Sequence, residues 1–217
     1  MPLSQTPAFV KSWSQVEELM LDSAITPDQL DWLLHLVSST PKLRKLSLGF
    51  YKGDQMFMQL LSAFHTLYKL EELRLKSARV TVNALSSLLL RNSATLHSLS
   101  LQHIALGDYE GRWSTVFQNM KGHFPCLQNL VLFWLKQGTY TDGLFIFSML
   151  LKYPVSPGSE VRGPNDCLKY ESPQIDSMED PIRLRYWPIG QSVLGIEYHG
   201  KEIDQVLGAL VITAGAN

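Results

Sequence analysis

Cysteine is nearly absent from this chain of 217 residues: Cys126 and Cys167 stand far apart and no CxxC occurs. Such usage supplies neither a disulfide framework nor a zinc ribbon and fits a reducing compartment. An excess of charge of one sign is missing too. Nineteen Lys and Arg meet twenty Asp and Glu for a net charge of −1, and no basic cluster offsets that balance, so neither nucleic acid nor an anionic membrane is an expected partner. No uninterrupted apolar run approaches the roughly 18 residues of a membrane helix. The opening MPLSQTPAFVKSW has no basic stretch followed by an apolar one, so no signal peptide is apparent, and no Asn-x-Ser/Thr acceptor occurs. The expected location is cytoplasmic or nuclear. Catalytic signatures are lacking as well: there is no HExxH, no GxSxG and no phosphate-binding glycine loop. Six histidines (His35, His65, His97, His103, His123, His199) are scattered without a pair at metal-ligand spacing. The chain is therefore read as non-enzymatic, with no catalytic residue, no cofactor and no metal site.

What is present is a repeat. An apolar residue, two others, leucine, one other and leucine recur at Val16 (VEELML), Leu43 (LRKLSL), Leu70 (LEELRL), Leu96 (LHSLSL) and Leu127 (LQNLVL), with successive starts 27, 27, 26 and 31 residues apart. An LxxLxL core at a period of about 20 to 29 residues is the signature of leucine-rich repeats. The last two leucines of each copy are two apart, so in a strand they share one face. One such strand cannot bury them alone, whereas five stacked in parallel can, provided something covers the leucine side.

The intervals supply that cover. Thr26-Pro27-Asp28-Gln29 reads as a helix start with threonine as N-cap, proline at the first helical position and glutamine closing a capping box. Leu30, Leu33, Leu34 and Val37 follow at helical spacing, as do Phe57, Leu60, Leu61 and Phe64, and Trp113, Val116, Phe117 and Met120. Two copies are imperfect: Leu85, Leu88 and Leu89 end on Asn92, and Leu144, Phe147 and Leu151 include Ser148. The predicted fold is α/β, a leucine-rich-repeat solenoid with a curved parallel sheet on the concave side, helices on the convex side and an irregular C-terminal cap.

Residues 1–15 are read as an N-terminal cap or remnant carrying Phe9, Val10 and Trp13, and residues 16–153 as five strand-helix units. A Pro/Gly-rich loop is expected over 154–190, and a strand and helix cap over 191–217. In that cap Val193–Tyr198 reads as the strand, and Ile203, Val206, Leu207, Leu210 and Val211 make the helical stripe.

Strand alternation turns the residues flanking the leucines to the other face in three columns. The first is Glu18, Lys45, Glu72, Ser98, Asn129; the second Met20, Ser47, Arg74, Ser100, Val131; the third Asp22, Gly49, Lys76, Gln102, Phe133. From these the candidate protein-binding residues are Glu18, Lys45, Glu72, Arg74, Lys76, Val131 and Phe133. The apolar pair Val131 and Phe133 calls for a cover, and the chain's own tail, residues 182 to 190, is expected to lie across that end of the sheet. Trp113, at the head of a helical stripe, is read as packing, and Cys126 as a small turn residue.

The five LxxLxL segments, most specifically LLLRNSATLHSLSLQHIAL (88–106), Trp113 and FPCLQNLVL (124–132), resemble the leucine-rich-repeat region of F-box proteins, particularly the large fungal group. The tail VLGIEYHGKEIDQVL is similar to endings in that group. The resemblance implies repeats that recognise the substrate of a ubiquitin ligase. The F-box itself is missing from residues 1–15, so a Skp1-type adaptor is implied only if an F-box lies upstream, and the protein partner is unknown. The alternative is an independent leucine-rich-repeat scaffold or inhibitor. The asparagine that many such repeats place three after the last leucine is replaced here by Ala24, Tyr51, Ala78, Ile104 and Leu135.

Overall fold

Alternating leucines become strands at every copy of the pattern. The computed structural model describes residues 7–26, 29–50, 69–107, 111–137, 168–169, 182–186 and 193–215. Within it the pattern-bearing strands are β1 (Glu18–Ile25), β2 (Lys45–Phe50), β3 (Glu72–Lys76), β5 (Ser98–Gln102) and β7 (Asn129–Phe133). All five run parallel and in register: Leu46 pairs with Leu73, Leu73 with Leu99 and Leu99 with Leu130, while Leu48, Leu75, Leu101 and Leu132 form a second row. Neither row is more than 2% exposed. Burying a leucine contributes about 1.5–3 kcal/mol, so these rows outweigh the exposed Arg44–Glu71 ion pair (3.3 Å), whose class contributes at most about 1 kcal/mol.

Helices cover the leucine face. These are α1 (Pro7–Trp13), α2 (Leu30–Ser38), α3 (Val82–Arg91), α4 (Trp113–Met120) and α5 (Ile203–Gly215). Leu33 and Val37 of α2, Leu85, Leu88 and Leu89 of α3, and Trp113, Val116, Phe117 and Met120 of α4 share one buried cluster with the strand leucines. Trp13 and Val16 pack against the same cluster from the N-terminal side. The Phe57–Phe64 and Leu144–Leu151 stripes lie outside the described residues. The expected cap is displaced: Gln29, not Thr26, is the N-cap, no side chain caps the helix, and what remains of the predicted box is Gln29 Oε1 accepting from the Thr26 N–H at 3.1 Å. The helix starts only at Leu30, because Gln29 itself stands in the flanking turn, where its side chain can reach back.

The chain leaves the sheet the same way in three successive units. Ser77, His103 and Trp134, each the second residue after the last leucine of its copy, have φ of 57°, 55° and 53°. A left-handed L-residue costs roughly 1–2 kcal/mol, and a ladder of backbone bonds offsets it: Ser77 N–H to Gln102 O, His103 N–H to Phe133 O and Trp134 N–H to Leu194 O, all 2.8–2.9 Å. The next residues, Ala78, Ile104 and Leu135, turn into the core and are at most 1% exposed. A second parallel ladder follows, β4 (Arg79–Val80) with β6 (Ala105–Leu106), joined by a bridge from Ala105 to Lys136.

Asn92, where the stripe of α3 breaks off, is 1% exposed and acts as a polar clamp. Its Oδ1 accepts from the Leu70 N–H at 2.9 Å, and its Nδ2 donates to Leu88 O at 3.0 Å. Thr95 Oγ1 donates to Leu70 O at 2.8 Å, so two side chains satisfy the backbone just before β3.

After β7 the sheet changes direction. β10 (Val193–His199) pairs antiparallel with β7, followed by β9 (Ile182–Tyr186) and β8 (Leu168–Lys169), giving the order β1-β2-β3-β5-β7-β10-β9-β8. The chain is thus mixed α/β with a mostly parallel sheet. Two strands form inside the segment expected to be a loop, and Ile182-Arg183-Leu184-Arg185-Tyr186 has the period-2 alternation that signals one. The tail also differs from expectation: residues 182–186 extend the sheet two strands beyond β7 instead of lying across Phe133, because β10 takes the open edge of β7 and residues 182–186 pair with the edge that β10 then presents. Residues 187–190 lie outside the described residues. Beneath this closure α5 buries Ile203, Val206, Leu207 and Leu210. Asp204 accepts from the Gly122 N–H (2.9 Å), and the buried Tyr198 hydroxyl accepts from the Glu202 N–H (2.7 Å).

Two substitutions test these joints. Asn92→Ala leaves the buried Leu70 N–H without its acceptor and should lower unfolding free energy by about 2 kcal/mol, read by urea denaturation; a loss within experimental error would show that the clamp is dispensable. A Cβ at Gly195 would lie 2.6 Å from Leu132 O and 2.7 Å from Phe133 Cδ2. Gly195→Ala should therefore destabilise by about 1–3 kcal/mol and speed hydrogen exchange selectively at β10.

Candidate functional site

The face away from the helices carries the three columns. Pairing aligns Glu18, Lys45, Glu72, Ser98, Asn129 and, through β10, His199 in the first row, and Met20, Ser47, Arg74, Ser100, Val131 and Glu197 in the second. The third row contains Gly49, Lys76, Gln102, Phe133 and Gly195. Asp22, expected to head that row, falls out of it: the register of β1 shifts after Leu21 and resumes with Ile25 opposite Phe50. The extra residues of this irregular strand bend it away from its neighbour.

The charges along the first row are ordered. Lys45 Nζ lies 2.8 Å from Glu72 Oε1. The hydrogen bond and charge of Glu72, with smaller help from Glu18 and Glu71, raise the Lys45 ammonium above its ordinary 10.5. At neutral pH this changes no charge and serves to fix the pair. At the far end the His199 ring donates through Nδ1 to Asn129 Oδ1 at 2.6 Å.

In the second row Ser47 and Ser100 are small and nearly buried (6% and 7%), while Met20 at one edge is 53% exposed. The low serines between Lys45, Glu72 and Arg74 leave a depression of about 70 Å³. That is too small for a metabolite, since small-molecule pockets run to about 300–1,000 Å³. The face is broad and shallow. Among the described residues no group of three His, Cys, Asp or Glu could hold a metal ion, and no helix is long and apolar enough to cross a membrane. Cys126 sits in the turn before β7 with its Sγ donating to Ala94 O at 3.3 Å. Trp113 is fully buried, and its indole Nε1–H donates to Lys136 O at 2.9 Å.

Residues that the pattern did not single out gather at the C-terminal rim of the strands. His103 stacks on Trp134 with ring centroids 5.4 Å apart and planes at 22°, and meets Phe133 edge-on at 5.6 Å and 82°. The stack arises because His103 and Trp134 occupy the same left-handed position of neighbouring units. The signal lay in that common offset from the last leucine, which a search for metal-ligand spacing does not see. Phe133 and Trp134 partly remove the imidazole from water, and this desolvation, followed by the charges of Lys76 and Lys136, holds His103 below its ordinary 6.5.

That arrangement fixes a pH dependence. A folded-state value below the unfolded one means that the folded chain binds protons less readily. The contribution of His103 to stability is therefore present above pH 6.5 and is lost as pH falls through the folded value. An NMR titration of His103 should give a midpoint below 6.5 that moves up in a Lys76→Ala, Lys136→Ala variant; a midpoint at or above 6.5 in the unaltered chain would contradict the assigned environment. Comparison with known proteins adds no relative: no protein-family model, curated protein or solved structure matches the chain.

Proposed function

We propose that the chain is a non-enzymatic protein-binding module, a leucine-rich-repeat solenoid whose polar face is the concave, partner-binding side. The carrying observation is the register that aligns Glu18, Lys45, Glu72, Arg74, Lys76, Val131 and Phe133 on one face, where the described residues leave only a shallow depression. A broad shallow surface of mixed charge, with apolar residues at one end, suits a protein partner better than a metabolite. The resemblance of residues 88–106 and 124–132 to F-box proteins gives this reading its biological form: recognition of the substrate of a ubiquitin ligase, in the cytoplasm or nucleus. In that form a Skp1-type adaptor is engaged only if an F-box lies upstream of this chain. Arg74 and Lys76, adjacent outward positions on β3, are exposed and central to the face.

The test is affinity capture from cell extract with the unaltered chain and with Arg74→Glu, Lys76→Glu, both checked for folding by circular dichroism. Loss of specific partners from the double variant is the expected result, and retention of every partner would reject the face. Co-purification of a Skp1-type adaptor with the natural polypeptide separates ligase recognition from an independent scaffold.

A further inference from the structure

We propose that the C-terminal rim of the sheet, where Lys76, His103, Phe133, Trp134 and Lys136 meet, docks an acidic protein segment carrying one aromatic or large aliphatic anchor. This rests on the protein-binding reading of the polar face and supplies its partner chemistry.

The rim offers a ring platform. His103, Phe133 and Trp134 form a three-ring cluster, the last two with centroids 6.0 Å apart and planes at 64°. Phe133 and Trp134 are half-buried and His103 is exposed, so the cluster is fixed from behind and accessible from in front. At neutral pH the imidazole is an uncharged ring, consistent with its depressed pKa. Rigid aromatic residues of this kind are the usual anchors of protein interfaces.

Charge decides what approaches the rings. Lys76 and Lys136 are exposed and both act on His103, whereas no carboxylate of the described residues does. The third row contains one cation and no carboxylate: Gly49, Lys76, Gln102, Phe133 and Gly195. The nearby acids of β3 and its approach are engaged elsewhere, Glu71 by Arg44 and Glu72 by Lys45. An acidic segment therefore meets attraction on both sides of the rings. A nucleic acid is the poorer fit, since the cations are few, the net charge is −1, and Glu18 and Glu72 share the face.

The test uses the full chain and a fluorescent synthetic peptide with one phenylalanine between runs of aspartate and glutamate, followed by anisotropy. The peptide should bind, more weakly as salt rises, and affinity should fall about tenfold or more both in Lys76→Glu, Lys136→Glu and in Trp134→Asn, asparagine being chosen because it tolerates a positive φ. Replacing the peptide's phenylalanine by alanine, or its acids by lysine, should also abolish binding. No binding by the unaltered chain, or undiminished binding by both variants, overturns the proposal. So does equal affinity for single-stranded DNA or for anionic phospholipid vesicles, which would make the rim a general anion site. Binding that appears only in Trp187→Ala, which alters an aromatic residue of the 182–190 tail expected to cover Phe133, would likewise overturn it, assigning the rim to the chain's own tail. If Arg74→Glu, Lys76→Glu loses captured partners while Lys136→Glu and Trp134→Asn change neither peptide nor partner binding, the rim fails and the face survives. If all these variants keep their partners, both fail.

Discussion

A strand that carries leucines on one side only can bury them in one way here: its neighbour must present leucines at the same height. Parallel pairing in register meets that demand four times over, from Leu19 through Leu46, Leu73 and Leu99 to Leu130. A slip of one residue at any seam would turn a leucine row toward water and a polar row into the core. Helices on one side, polar columns on the other and the common exit through Ser77, His103 and Trp134 all follow from keeping this register. So does the clamp from Asn92 and Thr95 to Leu70, which holds β3 at its height before pairing begins.

The two faces divide the labour. The leucine face supplies stability, because its buried area far exceeds what exposed charge pairs add. The polar face is thereby released from structural duty and can carry Arg74, Lys76 and Phe133 in positions set from behind. At the rim the division is less clean. Two of the three left-handed residues that steer the chain off the sheet, His103 and Trp134, also stack their rings at that rim, so a backbone requirement has placed an aromatic surface.

Much of this was legible in the chain. The LxxLxL copies mark the five parallel strands of the main sheet, Trp113, Val116, Phe117 and Met120 mark a helix face, and alternation gives the column partners from Lys45 to Phe133. The misses have physical causes. Asp22 left its row because β1 bulges, and a bulge is a backbone event that no side-chain period announces. Asn92 looked like a flaw in an apolar stripe, since its value lies in a partner 22 residues away. The antiparallel closure by β10, β9 and β8 needed knowledge of which edge was open, and the proline and glycine content of 154–190 concealed two short strands. His103 and Trp134 became neighbours only through stacking of units, so neither stood out alone.

The measurement that bears most directly on the in-register stack is a set of methyl-to-methyl nuclear Overhauser contacts in a leucine-labelled sample. The account predicts an unbroken series from Leu46 to Leu73, Leu99 and Leu130, with Leu48, Leu75, Leu101 and Leu132 forming a parallel second series. Contacts offset by one residue, or leucines of neighbouring copies without mutual contacts, would contradict it.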